Sequence, residues 1–146
     1  MARTESSKVD RIQGLPMFDN VGKRALGKLA QACDELEFEA GYTLISEGRT
    51  NSEVFVVESG VATVTVGGEA VAEIIEGQVV GELAFFDPGP ATATVTAKTA
   101  MSVLVIPHNR FQAVVDETPE ILDSVVKDLA GRLRRMDARH RYQAGS

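Results

Sequence analysis

The middle of the chain repeats its hydrophobic residues with a period of two. Leu36, Phe38 and Ala40 alternate with glutamates, the pattern of a strand buried on one face. Further short segments are rich in Val, Ile and Thr, which favour strands. These are Tyr42–Ser46, Glu53–Glu58, Val61–Val66, Glu69–Ile75, Thr92–Thr99 and Met101–Ile106. The pattern predicts a β region over about residues 35–106.

Glycines separate these predicted strands. Gly67-Gly68 stands between two of them, and tight hairpin turns need the positive φ that glycine adopts without strain. No helical pattern intervenes between most of the strands, so a parallel α/β sheet is excluded. The arrangement is typical of an antiparallel barrel or jelly roll.

Helical periodicity appears on both sides of the β region. Val21–Cys33 places Leu26, Leu29 and Cys33 on one face, after an apolar anchor at Leu15–Asn20 that ends in capping residues. Pro107–Glu117 forms a second helix, with its apolar residues turned inward: Phe111, Val114 and Val115. We expect residues 1–14 to be a disordered leader, 15–141 a single domain with its C-terminal helices over about 107–141, and 142–146 a tail.

A longer helix follows Thr118-Pro119-Glu120, which supplies a cap, a proline at the first helical position and an early acid. Its apolar residues are spaced 4, 3, 4 and 3: Leu122, Val126, Leu129, Leu133 and Met136. Ile121 and Val125 widen this stripe. The stripe either packs on its own barrel or pairs with a second copy as a homodimer through helix 119–141.

Composition narrows the classes of function. The 146 residues carry a net charge of −6, which argues against a dedicated nucleic-acid role. Six basic residues against two acidic ones give residues 127–141 a net charge of +4, which fits either a helix end or a partner-binding tail. One cysteine, Cys33, and no apolar leader or membrane span indicate the cytoplasm.

Nothing in the sequence indicates an enzyme or a resident cofactor. The two histidines, His108 and His140, fall in predicted helices and cannot build a multi-histidine metal centre. Cys33 lies on the apolar face of its helix, where a core role is favoured over nucleophilic chemistry. We expect a non-enzymatic protein without a metal site.

Turn and polar signals are densest between Gly77 and Val95. Gly81 can open a single helical turn whose free N–H groups suit an anion, and Asp87-Pro88-Gly89-Pro90 returns the chain to its side. A small phosphate fits between the two segments. The alternative is a long loop with a glutamate facing solvent.

The segments Phe38–Gly48 and Val54–Val61, with Gly41, Gly48 and Gly60, lead in order to Gly81-Glu82-Leu83-Ala84, here called the cassette. Over about residues 15–137 the chain resembles the cyclic nucleotide-binding domain of catabolite-activator-type regulators, kinase regulatory subunits and gated channels. The resemblance implies a jelly-roll β-barrel with an N-terminal helix and a long C-terminal helix. It also implies a regulatory role in signalling, with cyclic AMP or cyclic GMP as the ligand.

The resemblance also implies a set of ligand-binding residues. The carboxylate of Glu82 accepts a hydrogen bond from the ribose 2′-hydroxyl, and the backbone of Gly81, Leu83 and Ala84 approaches the ligand. The other positions follow the turn: Ala91, Thr92 and Ala93. The family pattern has arginine where this chain has Ala91, so we expect weak binding of the nucleotide or of a related small anion.

Two hypotheses follow, a weak cyclic-nucleotide sensor or a degenerate barrel that acts in protein interaction or dimerisation. Arg49 and Lys98 are the nearest substitutes in sequence for the missing cation. Lys127, Arg132 and Arg135 lie on the helix that caps the base in the family, although solvated helix charges are the simpler interpretation. Because about ten residues follow Met136, we expect no helix-turn-helix and no direct DNA binding.

Overall fold

A computed structural model describes the backbone of residues 5–144 and the side chains of residues 8–135. Its helices are α1 Glu5–Gln13, α2 Lys23–Ala32, α3 Leu83–Phe86, α4 His108–Glu117 and α5 Pro119–Ala144, with a 3-10 turn at Pro16–Phe18. Its strands are β1 Asp34–Phe38, β2 Thr43–Ile45, β3 Glu53–Ser59, β4 Ala62–Val66, β5 Glu69–Ile74, β6 Val79–Val80, β7 Thr94–Ala97 and β8 Met101–Pro107. Within the described residues, no helix has the length and apolar character needed to cross a membrane.

The strands form two antiparallel sheets of four strands each. The first sheet has the order β1-β8-β3-β6 and the second has the order β2-β7-β4-β5. β4 and β5 form the predicted hairpin, in which Gly67 and Gly68 have φ of +58° and +86°. The predicted mainly-β jelly roll with flanking helices is confirmed.

The central strands of the first sheet, β3 and β8, are buried on both faces, whereas the edge strand β1 leaves Leu36 43% exposed. In β3, Val54 and Val56 face the helices, whereas Phe55 and Val57 face the second sheet. This alternation explains an unbroken apolar run in a strand, because each face of the sheet has its own covering layer. The residues divide into a helix-side core and an inter-sheet core, and β8 contributes to both in the same way.

The helices pack together over the outer face of the first sheet. α4 supplies Phe111, Val114 and Val115 to the helix-side core, as predicted. The expected disorder of residues 1–14 is wrong over residues 5–13, where α1 forms and buries Ile12 completely. Most of the stability of a short helix comes from such packing, so the polar composition of this segment concealed it. Residues 1–4 lie outside the described part.

Several boundaries differ from those predicted. The N-cap of α2 is Gly22, after the 3-10 turn, so the expected capping residues before Val21 do not start the helix. The hydroxyl of Thr118 donates to the carbonyl of Val114, so Thr118 closes α4 with its side chain. α5 continues through Ala144, into the expected tail, and residues 145–146 lie outside the described part.

The apolar stripe of α5 divides into two parts. Ile121 and Val125 are fully buried in the helix-side core, with Leu122 and Leu129 partly buried against it. Val126 and Leu133 are 47% and 65% exposed. The side chain of Met136 lies outside the described residues. One side of the stripe therefore packs on its own domain, and Val126 and Leu133 form an uncovered edge beside it.

Candidate ligand-binding site

The cassette lies where the chain leaves the first sheet. β6 points Val79 into the helix-side core and Val80 into the inter-sheet core, and the chain then turns at Gly81 into the single helical turn α3. All seven residues predicted for ligand binding line one cavity of about 160 Å³. The rest of its wall is mostly apolar: Ile45, Asn51, Val64, Ile74, Val80, Val95 and Arg132.

Gly81 has a backbone conformation that only glycine adopts easily here. Its φ is +92°, and a Cβ atom at this position would lie 2.3 Å from the carbonyl oxygen of Glu53. Nε2 of His108 donates to the Gly81 carbonyl oxygen at 3.1 Å. The side-chain amide of Asn51 lies 3.5 Å from the same oxygen. The turn is therefore fixed from the loop before β3 and from α4.

Glu82 is only 2% exposed, so a carboxylate is buried at the cavity wall. Nη2 of Arg132, on α5, donates to Oε1 of Glu82 at 2.8 Å. Burial raises the pKa of Glu82, and the Arg132 guanidinium opposes that rise. The other carboxylate oxygen, Oε2, is buried and has no hydrogen-bond partner among the described residues.

Arg132 connects α5 to the cassette. Nη2 also donates to the Val79 carbonyl oxygen at 2.8 Å, and Asp128 lies 2.9 Å from it one turn back along the helix. Sequence reasoning named Arg132 only as one of three helix charges and favoured a solvated position, which is wrong for this residue. The partner carboxylate is 50 positions away, and no local signal in the sequence distinguishes Arg132 from Lys127 or Arg135.

The segment after the turn contributes its backbone more than its side chains. The Ala91 N–H donates to the Arg49 carbonyl at 2.8 Å, and the Ala91 carbonyl accepts from the Gly48 N–H at the same distance. Ala91 and Ala93 are partly buried at the cavity wall, and Thr92 is exposed at it. Position 91 supplies no cation.

Neither of the substitute cations suggested by sequence proximity lines the cavity. Lys98 pairs with Glu73 at 2.6 Å on the exposed surface of the second sheet. Arg49 is exposed and is absent from the cavity wall. Among the described residues that form this wall, Arg132 is the one basic side chain.

Two other candidates for chemistry have structural roles. Cys33 is buried in the helix-side core, and that burial raises the pKa of its thiol to about 12. His108 is bound to the Gly81 carbonyl. Within the part of the chain described, no three metal-ligating side chains come together.

Comparison with known proteins identifies the class. Residues 35–118 match the family model of the cyclic nucleotide-binding domain, and the chain belongs to this family. A cAMP-dependent protein kinase regulatory subunit of Yarrowia lipolytica is 35% identical over 106 residues. That alignment covers 71% of this chain and 28% of the relative, so the chain spans less than a third of that protein.

Two solved structures share the fold. The regulatory domain of Toxoplasma gondii PKA with cAMP superposes with a TM-score of 0.76 at 22% identity, covering 87% of this chain and 50% of that one. A regulatory subunit of a cAMP-independent protein kinase A from Trypanosoma brucei gives 0.75 at 21% identity, covering 84% and 47%. Both likenesses show the fold of this chain.

Proposed function

We propose that this chain is a regulatory sensor domain that binds a cyclic nucleotide, or a related small anion, weakly in the cassette cavity. The observation that carries the proposal is the convergence of all seven predicted residues on one cavity, with the buried carboxylate of Glu82 at its wall. An unpartnered buried oxygen is costly unless something satisfies it. A ribose hydroxyl is a donor of the required kind.

The remainder of the wall suits the other parts of such a ligand. Its apolar side chains offer a surface for a planar base. The cassette N–H groups and the Thr92 hydroxyl are donors for a phosphate. The relative from Yarrowia lipolytica and the structure from Toxoplasma gondii are both described in terms of cAMP, which supports the same class of ligand.

We expect weak binding because Ala91 supplies no cation for the phosphate. Removing one partner of a buried charge pair costs about 2–5 kcal/mol, which corresponds to about 30- to several-thousand-fold in affinity. Arg132 restores a positive charge to the wall, but that charge is already paired with two carboxylates, Glu82 and Asp128. It is therefore a poor replacement for an arginine dedicated to phosphate.

Titration calorimetry with cyclic AMP and cyclic GMP at low salt tests this proposal. We expect measurable binding to the wild-type chain, loss of it in Glu82→Gln and at least tenfold tighter binding in Ala91→Arg. Glu73→Gln and Ala113→Arg make the same changes of charge at exposed positions away from the cavity and should leave the affinity unchanged. Absence of binding in the wild-type chain and in Ala91→Arg contradicts the proposal.

A second function is favoured by two observations. Position 91 lacks the phosphate-binding cation, and Val126 and Leu133 leave an uncovered apolar edge on α5. Together they support a degenerate barrel that acts as a dimerisation or protein-interaction module. The neighbour described as part of a cAMP-independent kinase has the same fold, so the fold alone does not decide between the two. Binding gained only in Ala91→Arg would favour this second function.

A further inference from the structure

We propose that the cassette cavity prefers a neutral nucleoside to a cyclic nucleotide, with a sugar hydroxyl at the buried carboxylate of Glu82 and the planar base against the apolar wall. The inference rests on one part of the proposed function, the ribose hydroxyl at Glu82. It goes further because it names an uncharged class of ligand, which needs no phosphate site.

Glu82 has one unused acceptor at the cavity wall. Its Oε1 accepts from Arg132, whereas its Oε2 is buried without a hydrogen-bond partner among the residues that the structure describes. The residue is 2% exposed, so solvent water reaches it poorly. A neutral hydroxyl satisfies this oxygen without bringing a second charge into the cavity. Every ribonucleoside carries such a donor at its 2′ position.

The charges beside the cavity leave no free cation for a phosphate. Arg132 is the one basic side chain among the described residues of the wall, and it lies 2.8 Å from Glu82 and 2.9 Å from Asp128. The three groups have a net charge of −1 when both carboxylates are ionised, and of zero when Glu82 is protonated. A phosphate monoanion would therefore leave water without a counter-charge, which is costly in a cavity of low dielectric. A nucleoside has no such charge to desolvate.

The backbone near the cavity supplies few substitutes for that cation. The Ala91 N–H donates to the Arg49 carbonyl at 2.8 Å, and the Phe85 N–H donates to the Glu82 carbonyl at 3.0 Å, so neither is available to a ligand. The hydroxyl of Thr92 can donate to, or accept from, a neutral sugar as readily as it donates to a phosphate. These polar groups suit hydroxyls better than an anion.

The apolar part of the wall binds a base whether or not the ligand is charged. Its side chains come from both sheets: Ile45, Val64, Ile74, Val80 and Val95. Covering a planar ring with such side chains is favourable through the hydrophobic effect. The cavity volume of about 160 Å³ is also below the roughly 300–1,000 Å³ typical of small-molecule sites. A small cavity favours the ligand that lacks the phosphate ring.

Titration calorimetry tests this preference with adenosine, guanosine, their 2′-deoxy forms, cyclic AMP and cyclic GMP. The wild-type chain is compared with Glu82→Gln and with Asp128→Asn, which removes a negative charge beside Arg132. Asp123→Asn is the matched control, because Asp123 is 65% exposed and pairs with Lys127 on the same helix. Melting curves verify that each variant is folded.

We expect the better of the two nucleosides to bind the wild type at least about tenfold more tightly than its cyclic nucleotide. Glu82→Gln should weaken that nucleoside at least about tenfold and its 2′-deoxy form much less, because the lost contact is the one made by the 2′-hydroxyl. Asp128→Asn should tighten the cyclic nucleotide at least about threefold and change the nucleoside less. Asp123→Asn should match the wild type with every ligand.

The outcomes separate this inference from the proposed function. If the cyclic nucleotide binds the wild type as tightly as its nucleoside, the inference is wrong and the proposed function stands. Equal affinities of the nucleoside and its 2′-deoxy form would also overturn the inference, because Glu82 would then not recognise the hydroxyl. If nucleosides bind but cyclic nucleotides bind neither the wild type nor Ala91→Arg, the inference stands and the proposed function fails. Absence of binding by all of these ligands overturns both.

Discussion

The ring of His108 and the backbone carbonyl of Gly81 are 3.1 Å apart, joining the first residue of α4 to the turn that enters the cassette. Phe85 of α3 packs edge-on against the His108 ring and against Phe111, with ring centroids 5.8 Å and 4.8 Å apart. The cassette and α3 are therefore held to α4 by one polar and two aromatic contacts. Its position depends on α4 as much as on the sheet.

Replacing His108 should loosen this attachment. His108→Phe removes the donor and leaves the Gly81 carbonyl with the distant Asn51 amide as its partner. We therefore expect the free energy of unfolding to fall by about 1 kcal/mol. His108→Gln retains an amide donor, so it should lose less stability than His108→Phe. Urea unfolding followed by circular dichroism measures both. Equal stability of His108→Phe and the wild type would show that the contact contributes nothing.

Two glycines should respond in opposite directions to the same substitution. Gly81→Ala forces a side chain into a positive-φ position 2.3 Å from the Glu53 carbonyl oxygen. We expect the free energy of unfolding to fall by at least about 2 kcal/mol. Gly27 lies inside α2 with open space around it. Gly27→Ala should therefore raise the free energy of unfolding by up to about 1 kcal/mol. Thermal melting of the two variants checks the pair, and a stable Gly81→Ala protein would contradict the described turn.

The stability of the chain should depend on pH through Glu82. Burial raises its pKa in the folded state above the ordinary 4.5, so the folded protein holds this proton more tightly than the unfolded chain. The contribution of Glu82 to stability is therefore most favourable below pH 4.5 and declines as the pH rises through the raised pKa. The slope for a single group is at most about 1.4 kcal/mol per pH unit.

Glu82→Gln isolates this effect, because its side chain does not titrate. Denaturant unfolding between pH 4 and 8 should show the wild type losing stability relative to Glu82→Gln as the pH increases. A constant difference over that range, or a difference of the opposite sign, would contradict the assigned direction.

The exposed edge of α5 gives a prediction about assembly. If Val126 and Leu133 pair two chains, light scattering will give twice the chain mass of 15.7 kDa, and Leu133→Asp will reduce it to one chain. Leu133 is preferable to Leu129 for this purpose, because Leu129 also packs on the helix-side core. A wild-type protein of monomeric mass at high concentration would exclude this interface.

The sequence was most informative where a local pattern sets the structure. The apolar run in β3, the Gly67-Gly68 hairpin and the inward face of α4 each follow from the spacing of neighbouring residues. The cassette also begins at a positive-φ glycine, Gly81, and continues into a single helical turn, as its sequence predicts. These features depend on local backbone geometry and on hydrophobic periodicity, and both can be recognised from the order of neighbouring residues.

What the sequence concealed depends on contacts between distant segments. α1 is polar apart from a few residues, and it becomes interpretable only once Ile12 is seen in the helix-side core. Arg132 resembles its basic neighbours until α5 is placed beside Glu82. The pairing of two charges across 50 positions has no signature in the spacing of either one.

The pairing of β3 with β8 also affects how the chain folds. These two strands pair with each other at the centre of the first sheet, although the entire cassette lies between them in the chain. Pairing β3 with β8 therefore closes a long loop, and the entropy cost of closing it slows folding. A fragment that ends before β8 would lack the strand that pairs with β3, and it would present β3 as an apolar edge open to aggregation.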